Sequence, residues 1–379
     1  MITGLSDLLP PAEKGELLAA VAEKRPIKSR TSRIDLARLA PWSELNRWIT
    51  IDTLASGRVR LLRGGRDVPI ELVSKRENGR QRVLLAQALH QLCEQGLSIQ
   101  FLAVERLSQR IAVVVAALER ELRADMWANA YASFTRGGAL PPHSDEHDVL
   151  ILQLDGRKAW KGYGGADARP LGGGAAKVGD PEWEEELQPG DLLYLPRGEV
   201  HHAAVIGEQS LHLTIGIEHA KGRDSLSWLH ERSSRDIIFR TDITPEAQGE
   251  SLDQRSIALR QALHRLVDQF DLREMLADRD RAVAPHSPLN LGLFGRIAPE
   301  AWVSPTLRRR PNLPAEGEAR IEANGAEILL DSAECALLLH LLDSGGSRVG
   351  ALIDGPEAQT VERALTGLIR KSLLFVLED

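Results

Sequence analysis

Apolar positions recur along this chain with two different periods. From Pro41 the spacing is helical: Trp42, Leu45 and Trp48 in PWSELNRWITI lie three apart, which predicts a helix packed on a core. Leu84, Leu85, Leu89 and Leu92 form one stripe, and RIAVVVAALERELRA continues it, so residues 79–122 are expected to be mostly helical. Residues 1–40, broken by Pro and charge, read as loops and short helices. At Met126 the period changes to two. MWANAYASF alternates and reads as a strand. DVLILQLDGRKAWKGYG reads as two strands joined at Asp155-Gly156, a strong hairpin signal. LQPGDLLYLPRGEVHHAAV reads as turn, strand, turn, strand, and SLHLTIGIEH adds one more. Many short strands between Gly and Pro turns predict a barrel or jelly roll.

Beyond Glu218 the helical period returns, with Leu259, Leu263, Leu266 and Phe270 as an amphipathic stripe. RRRPNLP, Arg308 to Pro314, reads as a solvated linker. A short strand is expected near Ile321–Leu330. DSAECALLLHLLD then reads as a helix with Asp331 and Glu334 as a capping box. Pro356 is placed to open another helix, and SLLFVLED closes with a strand. Small helices with terminal strands suggest a winged-helix-like module. The fold class expected is α+β, a double-stranded β-helix of the cupin or jelly-roll kind with flanking helices.

Composition narrows the function classes. The formal net charge is -7, which argues against a nucleic-acid or anionic-membrane partner. Two cysteines far apart, Cys93 and Cys335, make neither a disulfide framework nor a cysteine zinc site and fit a reducing cytoplasm. The N-terminal stretch lacks the pattern of a signal peptide, and no run of about 18 apolar residues marks a membrane span. The Gly-rich stretch GYGGADARPLGGGAAKVGD has the composition of a barrel loop and lacks the spacing of a phosphate-binding turn.

The chemistry concentrates in PPHSDEHDV. Residues two apart on a strand face the same side, so His143 and Asp145 can converge on one point. They would be two members of a 2-His-1-carboxylate triad, which leaves positions open on Fe(II). A third ligand must come from another strand. His147, His201, His202 and His212 compete for that place, and His201, three residues past the Pro-Arg-Gly turn, fits best with the H-x-D pair.

The ordered set NAYASF, PPHSDEHDVLILQLDGRKAW, LQPGDLLYLPRGEVHHA and SLHLTIG resembles the JmjC-type cupin hydroxylases, in particular the ribosomal oxygenases. The resemblance covers roughly residues 126–218. It implies an enzyme that uses Fe(II), 2-oxoglutarate and dioxygen to hydroxylate an Arg or His side chain of a ribosomal protein. It implies metal ligation by His143, Asp145 and His201, with His202 on the opposite side as the alternative. Lys158 would pair with the distal carboxylate of 2-oxoglutarate, and Tyr131 and Asn129 would line its pocket. Ser133, Thr214 and His212 are weaker pocket candidates, and Asp148 would be structural or face substrate. The family arrangement also implies a catalytic domain over residues 1–218, a helical dimerisation segment over 219–296 giving a homodimer, and a winged-helix-like domain over 297–379. The stretch Gly162–Gly179 is richer in glycine than a ribosomal oxygenase would have. A hydroxylase that tailors a small precursor peptide is therefore a second reading, with the last domain binding a leader segment. A non-catalytic metal-binding cupin scaffold is a rival from another class, and a DNA-binding regulator a third, opposed by the acidic composition.

Overall fold

The computed structural model describes residues 2–378 apart from 32–33, 78–80, 135–139, 166–172, 244–251, 285, 287, 289, 295–296, 316 and 324–325. Its centre is an antiparallel sheet. In chain order its principal strands are β1 (Ile27–Arg30), β2 (Val59–Arg63), β3 (Ser98–Phe101), β4 (Asp125–Ser133), β5 (His143–Ser144), β6 (Asp148–Gly165), β7 (Trp183–Leu187), β8 (Asp191–Leu195) and β9 (Glu199–Glu218). The spatial order runs β1-β8-β6-β9-β4-β3-β2, with β7 on β6 and β5 on β9.

The long strands correct the hairpin expectation. Asp155-Gly156 does not reverse the chain, because β6 runs through it for 18 residues. Gly156 has φ 61°, and opposite it β9 shifts register between Ile206 and Ser210. The pair is a bulge that bends the ladder. A Cβ at Gly156 would lie 2.0 Å from the carbonyl oxygen of Gln209, so no side chain fits there. The Gln153 amide braces the bend by donating to the carbonyls of Asp155 and Gly156 and to Ser210 Oγ. A type I′ turn and this bulge both demand positive φ, so local sequence does not separate them. The two strands expected within GEVHHAAV and SLHLTIGIEH are likewise one strand, β9.

The helical reading of 79–122 needs a second correction. Helices Ala86–Glu94 and Gln109–Leu122 are present, and Ser98–Phe101 between them is a strand with all four residues buried. A four-residue strand covered on both faces shows no alternation. The N-terminal region holds a helix at Pro11–Glu23 with Pro at its first turn and contributes β1, which pairs with β8. The PWSELNRW segment is helical over Trp42–Trp48, and MWANAYASF lies within β4. No helix among the described residues is long and apolar enough to cross a membrane.

The chain divides into two compact units, one of residues 1–218, 285–321 and 328–379, the other of 219–284 and 322–327. In the first, β10 (Trp302–Pro305) and β11 (Leu374–Leu377) pair, and helices Ser332–Ser344 and Ala358–Arg370 accompany them. The capping box of Asp331 and Glu334 is formed. The strand expected near Ile321–Leu330 is a two-strand ribbon, Ala319–Ala323 with Ala326–Leu330. In the second unit the stretch 219–284 is built of helices. Trp228 is buried there, donates from Nε1 to Asp278 at 2.8 Å, and lies under the Arg232 guanidinium. In the helix Leu252–Asp268, Ala262 is buried and Leu259 and Leu266 half-buried, whereas Leu263 is 52% exposed with Leu252 and Val267. Leu263 thus lies at the exposed edge of the stripe that Leu259 and Leu266 share.

Arg308 and Arg309 are not a solvated linker. Arg308 pairs with Glu119, whose side chain is fully buried, and Arg309 bonds Asp125 Oδ1 at 2.7 Å and the carbonyl of Ala124. Glu119 also accepts the backbone N–H of Met126 at 2.9 Å, so the cluster holds the first residues of β4. Burial works against the Glu119 charge, and hydrogen bonds from His286 and Arg308 outweigh it, leaving its pKa below the ordinary value. Removing one partner strands a buried charge. Glu119→Ala is expected to cost about 3–5 kcal/mol at pH 7 in urea unfolding. A carboxylate with depressed pKa stabilises above its unfolded pKa, so the deficit should shrink as pH falls through the folded value. An equal deficit at pH 3 and pH 7 would contradict this.

Candidate active site

Strand register sets out the pocket in rows. On one side Gln100, Tyr131 and His212 share a row, then Asn129, Thr214 and Ile151, then Trp127, Gly216 and Val149. On the other side Lys158 pairs with Val205, Trp160 with Ala203, and His201 with both Gly162 and His143. Side chains at every second position face inward, and the bent β6 contributes to both sides. All of these except Val205 and Gly162 line a cavity of about 300 Å³, with Leu140, Asp145 and His147 among its walls.

His143, Asp145 and His201 each offer a ligand atom, and these atoms lie within 4.8 Å of one another. The two imidazole rings are 4.5 Å apart, and His201 Nε2 lies 3.8 Å from Asp145 Oδ2. His143 Nδ1 lies 2.9 Å from the carbonyl of Pro141, and His201 Nδ1 lies 3.0 Å from that of Glu199. A carbonyl only accepts, so each Nδ1 carries a proton and each Nε2 is the nitrogen left to face a metal. Burial first, then the neighbouring His143, pushes the His201 pKa down to about 4, which keeps the ring neutral. Gly198 N–H donates to the Asp145 carbonyl at 2.8 Å and fixes the end of the H-x-D turn. Two imidazoles and one carboxylate form the donor set of a facial triad, which suits Fe(II) and leaves coordination positions free. His202 pairs with Lys161 in register, and His201, not His202, joins the donor group.

Deeper in the pocket stands Lys158, 3% exposed. Its neighbour at hydrogen-bonding range is His212 Nδ1 at 3.4 Å, and no described carboxylate pairs with it. Burial pushes its pKa down to about 7. His212 stacks on Tyr131, centroids 5.0 Å apart and 3° between planes. The Tyr131 oxygen accepts from the Gln100 amide at 2.7 Å, which leaves its proton available to the pocket. Burial pushes the Tyr131 pKa up to about 12, so it stays a donor. Asn129 accepts the Ala103 N–H through Oδ1 and keeps its NH2 group for the pocket. Thr214 lines the wall.

Ser133 does not line this cavity. It lies one row beyond Tyr131 and bonds Ser98 Oγ at 3.0 Å. Asp148 is structural: it accepts from Lys24 Nζ, Tyr194 O–H and the Arg197 N–H, and so holds the Pro-Arg-Gly turn. Gln100, Trp127, Trp160, Val149 and Ile151 join the pocket without having been singled out. Period two carries the signal for four of them: Trp127 shares a face with Asn129, and Trp160 with Lys158, while Val149 and Ile151 sit on inward places of β6. Gln100 was hidden by the helical reading of its segment.

Residues 102–224 match the family model for the JmjC domain. Over these residues the chain is similar to a JmjC domain. It is 30% identical over 199 residues to ribosomal oxygenase 2 of Rattus norvegicus, covering 48% of this chain and 42% of that protein. It is 31% identical over 157 residues to ribosomal oxygenase 1 of Homo sapiens, covering 36% and 24%. Both matches span less than half of the relative's length. Among solved structures, YcfD, a ribosomal oxygenase from Escherichia coli in complex with cobalt and 2-oxoglutarate, is similar over 98% of this chain and 99% of that one, at 20% identity and TM-score 0.54. That likeness is one of fold.

An unpaired buried ammonium destabilises the protein in which it stands. Lys158→Met is expected to stabilise the ligand-free protein by about 1–4 kcal/mol. For a lysine with depressed pKa the destabilisation is full below the folded value near 7 and fades toward the unfolded value. The gain in urea unfolding should therefore be larger at pH 6 than at pH 9. A loss of stability at pH 6 would show that Lys158 has a charge partner.

Proposed function

We propose that the protein is an Fe(II)- and 2-oxoglutarate-dependent dioxygenase that hydroxylates a protein side chain. One observation carries the reading: a facial set of metal donors stands at one end of a pocket whose other end holds a buried, carboxylate-free lysine. A structural metal site would need the donors and not the lysine. Iron(II) with bound 2-oxoglutarate and dioxygen supplies the oxidant for an unactivated C–H bond. His143, Asp145 and His201 hold the metal and leave room on it for the cosubstrate. Lys158 receives the far carboxylate by a charge-assisted hydrogen bond, and Tyr131, Asn129 and Thr214 contribute polar groups along the way. His212 sits against the lysine and accepts from it. Trp160, Val149 and Ile151 keep water away from the reacting end.

The target most in keeping with the relatives is a ribosomal-protein side chain, arginine or histidine, met in the cytoplasm. The domain reading stays as expected from the sequence: a catalytic part over 1–218, a dimerising helical segment over 219–296 and a winged-helix-like module over 297–379. Exposed Leu252, Leu263 and Val267 on one helix of the second unit support a homodimer.

Anaerobic titration of metal-free protein with Fe(II) and then 2-oxoglutarate should give a visible charge-transfer band. His143→Ala and Asp145→Ala should abolish both the band and cosubstrate turnover, and Lys158→Ala should weaken cosubstrate binding about 10- to 100-fold. Iron bound without a band would remove the proposal. Because a carboxylate beside Lys158 raises its pKa from about 7, binding at pH 8 should take up about one proton. Calorimetry in two buffers of different ionisation enthalpy measures that uptake, and its absence would mean that Lys158 does not meet the carboxylate.

A further inference from the structure

The net charge of -7 conceals a stretch of the opposite sign. Residues 58–82 hold eight basic and three acidic side chains, and seven of the eight are arginine. They fold into two short hairpins. β2 turns through Gly64 and Gly65, at φ 57° and 77°, into Arg66–Asp67, the outermost strand of the central sheet. Ser74–Glu77 and Gln81–Leu84 form a separate two-strand ribbon. Helix Ile51–Ala55 touches both β2 and the ribbon, so the hairpins are neighbours.

Register sets arginine opposite arginine in each hairpin: Arg63 faces Arg66, and Arg76 faces Arg82. Like charges directly opposite one another cost stability. Where β7 meets β6 the exposed ladder is neutralised instead, with Glu184 facing Lys161 at 2.8 Å and Arg157 pairing with Glu186. In the basic stretch few charges are met. Asp67 takes Arg60, Glu71 lies 3.1 Å from Arg82, and Glu77 lies 3.8 Å from Lys75. Among the described residues, Arg58, Arg63, Arg66 and Arg76 pair with no carboxylate, and the last three are exposed. No aromatic residue lies between Trp48 and Phe101, so the surface offers guanidinium groups and no stacking face for bases. Opposed residues stand about 5 Å apart at Cβ, which suits consecutive anions on one side of a strand. Neighbouring acidic side chains of an extended peptide point to opposite sides, whereas a phosphodiester chain carries an anion at every repeat.

We propose that these two hairpins form a nucleic-acid-binding surface, which holds the phosphodiester backbone without reading its bases. Each guanidinium fork accepts one phosphate, and the repulsion within the opposed pairs is relieved on binding. A Cβ at Gly65 would lie 2.8 Å from Cδ of Pro141, so the first hairpin leans on the segment that carries His143. The surface goes beyond the hydroxylase reading and does not depend on it.

The test follows the fluorescence anisotropy of a labelled RNA strand of about 20 nucleotides, and of a DNA duplex of the same length, titrated with the full chain at about 50 and 200 mM salt. Binding in the micromolar range is expected at the lower salt, and the tighter probe names the nucleic acid that the surface suits. Four arginine–phosphate contacts give a log–log salt slope of about -3 for the single strand, a loss of about 50-fold between the two conditions. Arg63→Gln with Arg66→Gln should weaken binding about 10-fold or more at the lower salt and reduce the slope by about 1.4, and Arg76→Gln should reduce it by about 0.7. Because the double variant removes a repelling pair, it should unfold at the same or a higher urea concentration, which separates lost binding from a lost fold. Binding of neither probe at the lower salt overturns the proposal, as does binding unchanged in both variants. The arginines would then serve to keep the edge strand from pairing with other chains. Competition by polyglutamate of equal charge as strong as that by unlabelled RNA also overturns it, in favour of an acidic protein segment.

Discussion

The antiparallel pairing of β6 with β9 governs the position of every group in the pocket. The two strands are paired from Asp148–Ile217 to Gly165–Glu199, and both bend where Gly156 faces the Ile206–Ser210 shift. One ladder therefore supplies Val149 and Ile151 on one wall, and Lys158 and Trp160 on the other. Because the side-chain period is two, a slip of one residue would turn Lys158, Trp160 and His201 outward together. The braced bulge at Asp155-Gly156 is what sets the register of the second half against the first.

Electrostatics follow from that geometry. The described lining residues gather an ammonium, a phenol, imidazoles, two amides and one carboxylate. Hydrogen bonds to carbonyl groups hold each metal-facing histidine in a single tautomer, and burial keeps His201 uncharged. The same burial leaves Lys158 without a counter-charge, a cost that a dianionic cosubstrate would offset. The cavity thus has polar inner rows, around Tyr131, His212 and Asn129, and an outer row that carries Trp127.

The carboxyl-terminal region reaches the site through β4. Glu119 receives Arg308 and the Met126 N–H at once, and Asp125 receives Arg309. These contacts hold the strand just before Trp127, Asn129 and Tyr131. The cluster that attaches the last third of the first unit is thereby part of the foundation of the pocket wall.

Much of this was legible in the residues. Alternation announced β4 and its inward Asn129 and Tyr131, the spacing of H-x-D and the Pro-Arg-Gly turn singled out three side chains that the fold brings together, and the Asp331 capping box was visible locally. Those features depend on neighbours in sequence, and local geometry decides them. What the chain order did not disclose depends on partners far away. Asp155-Gly156 became a bulge because β9 lies alongside and continues the ladder. Ser98–Phe101 became a strand because β2 and β4 flank it, which brought Gln100 to Tyr131. Arg308 and Arg309 were drawn from an apparent linker into the interior by Glu119 and Asp125, about 190 residues earlier. Ser133 bonded Ser98 and left the pocket. Sequence by itself determined the inward rows and the chemistry they carry. Tertiary structure decided which rows meet, because pairing energy and desolvation act only between groups that the fold has already brought into contact.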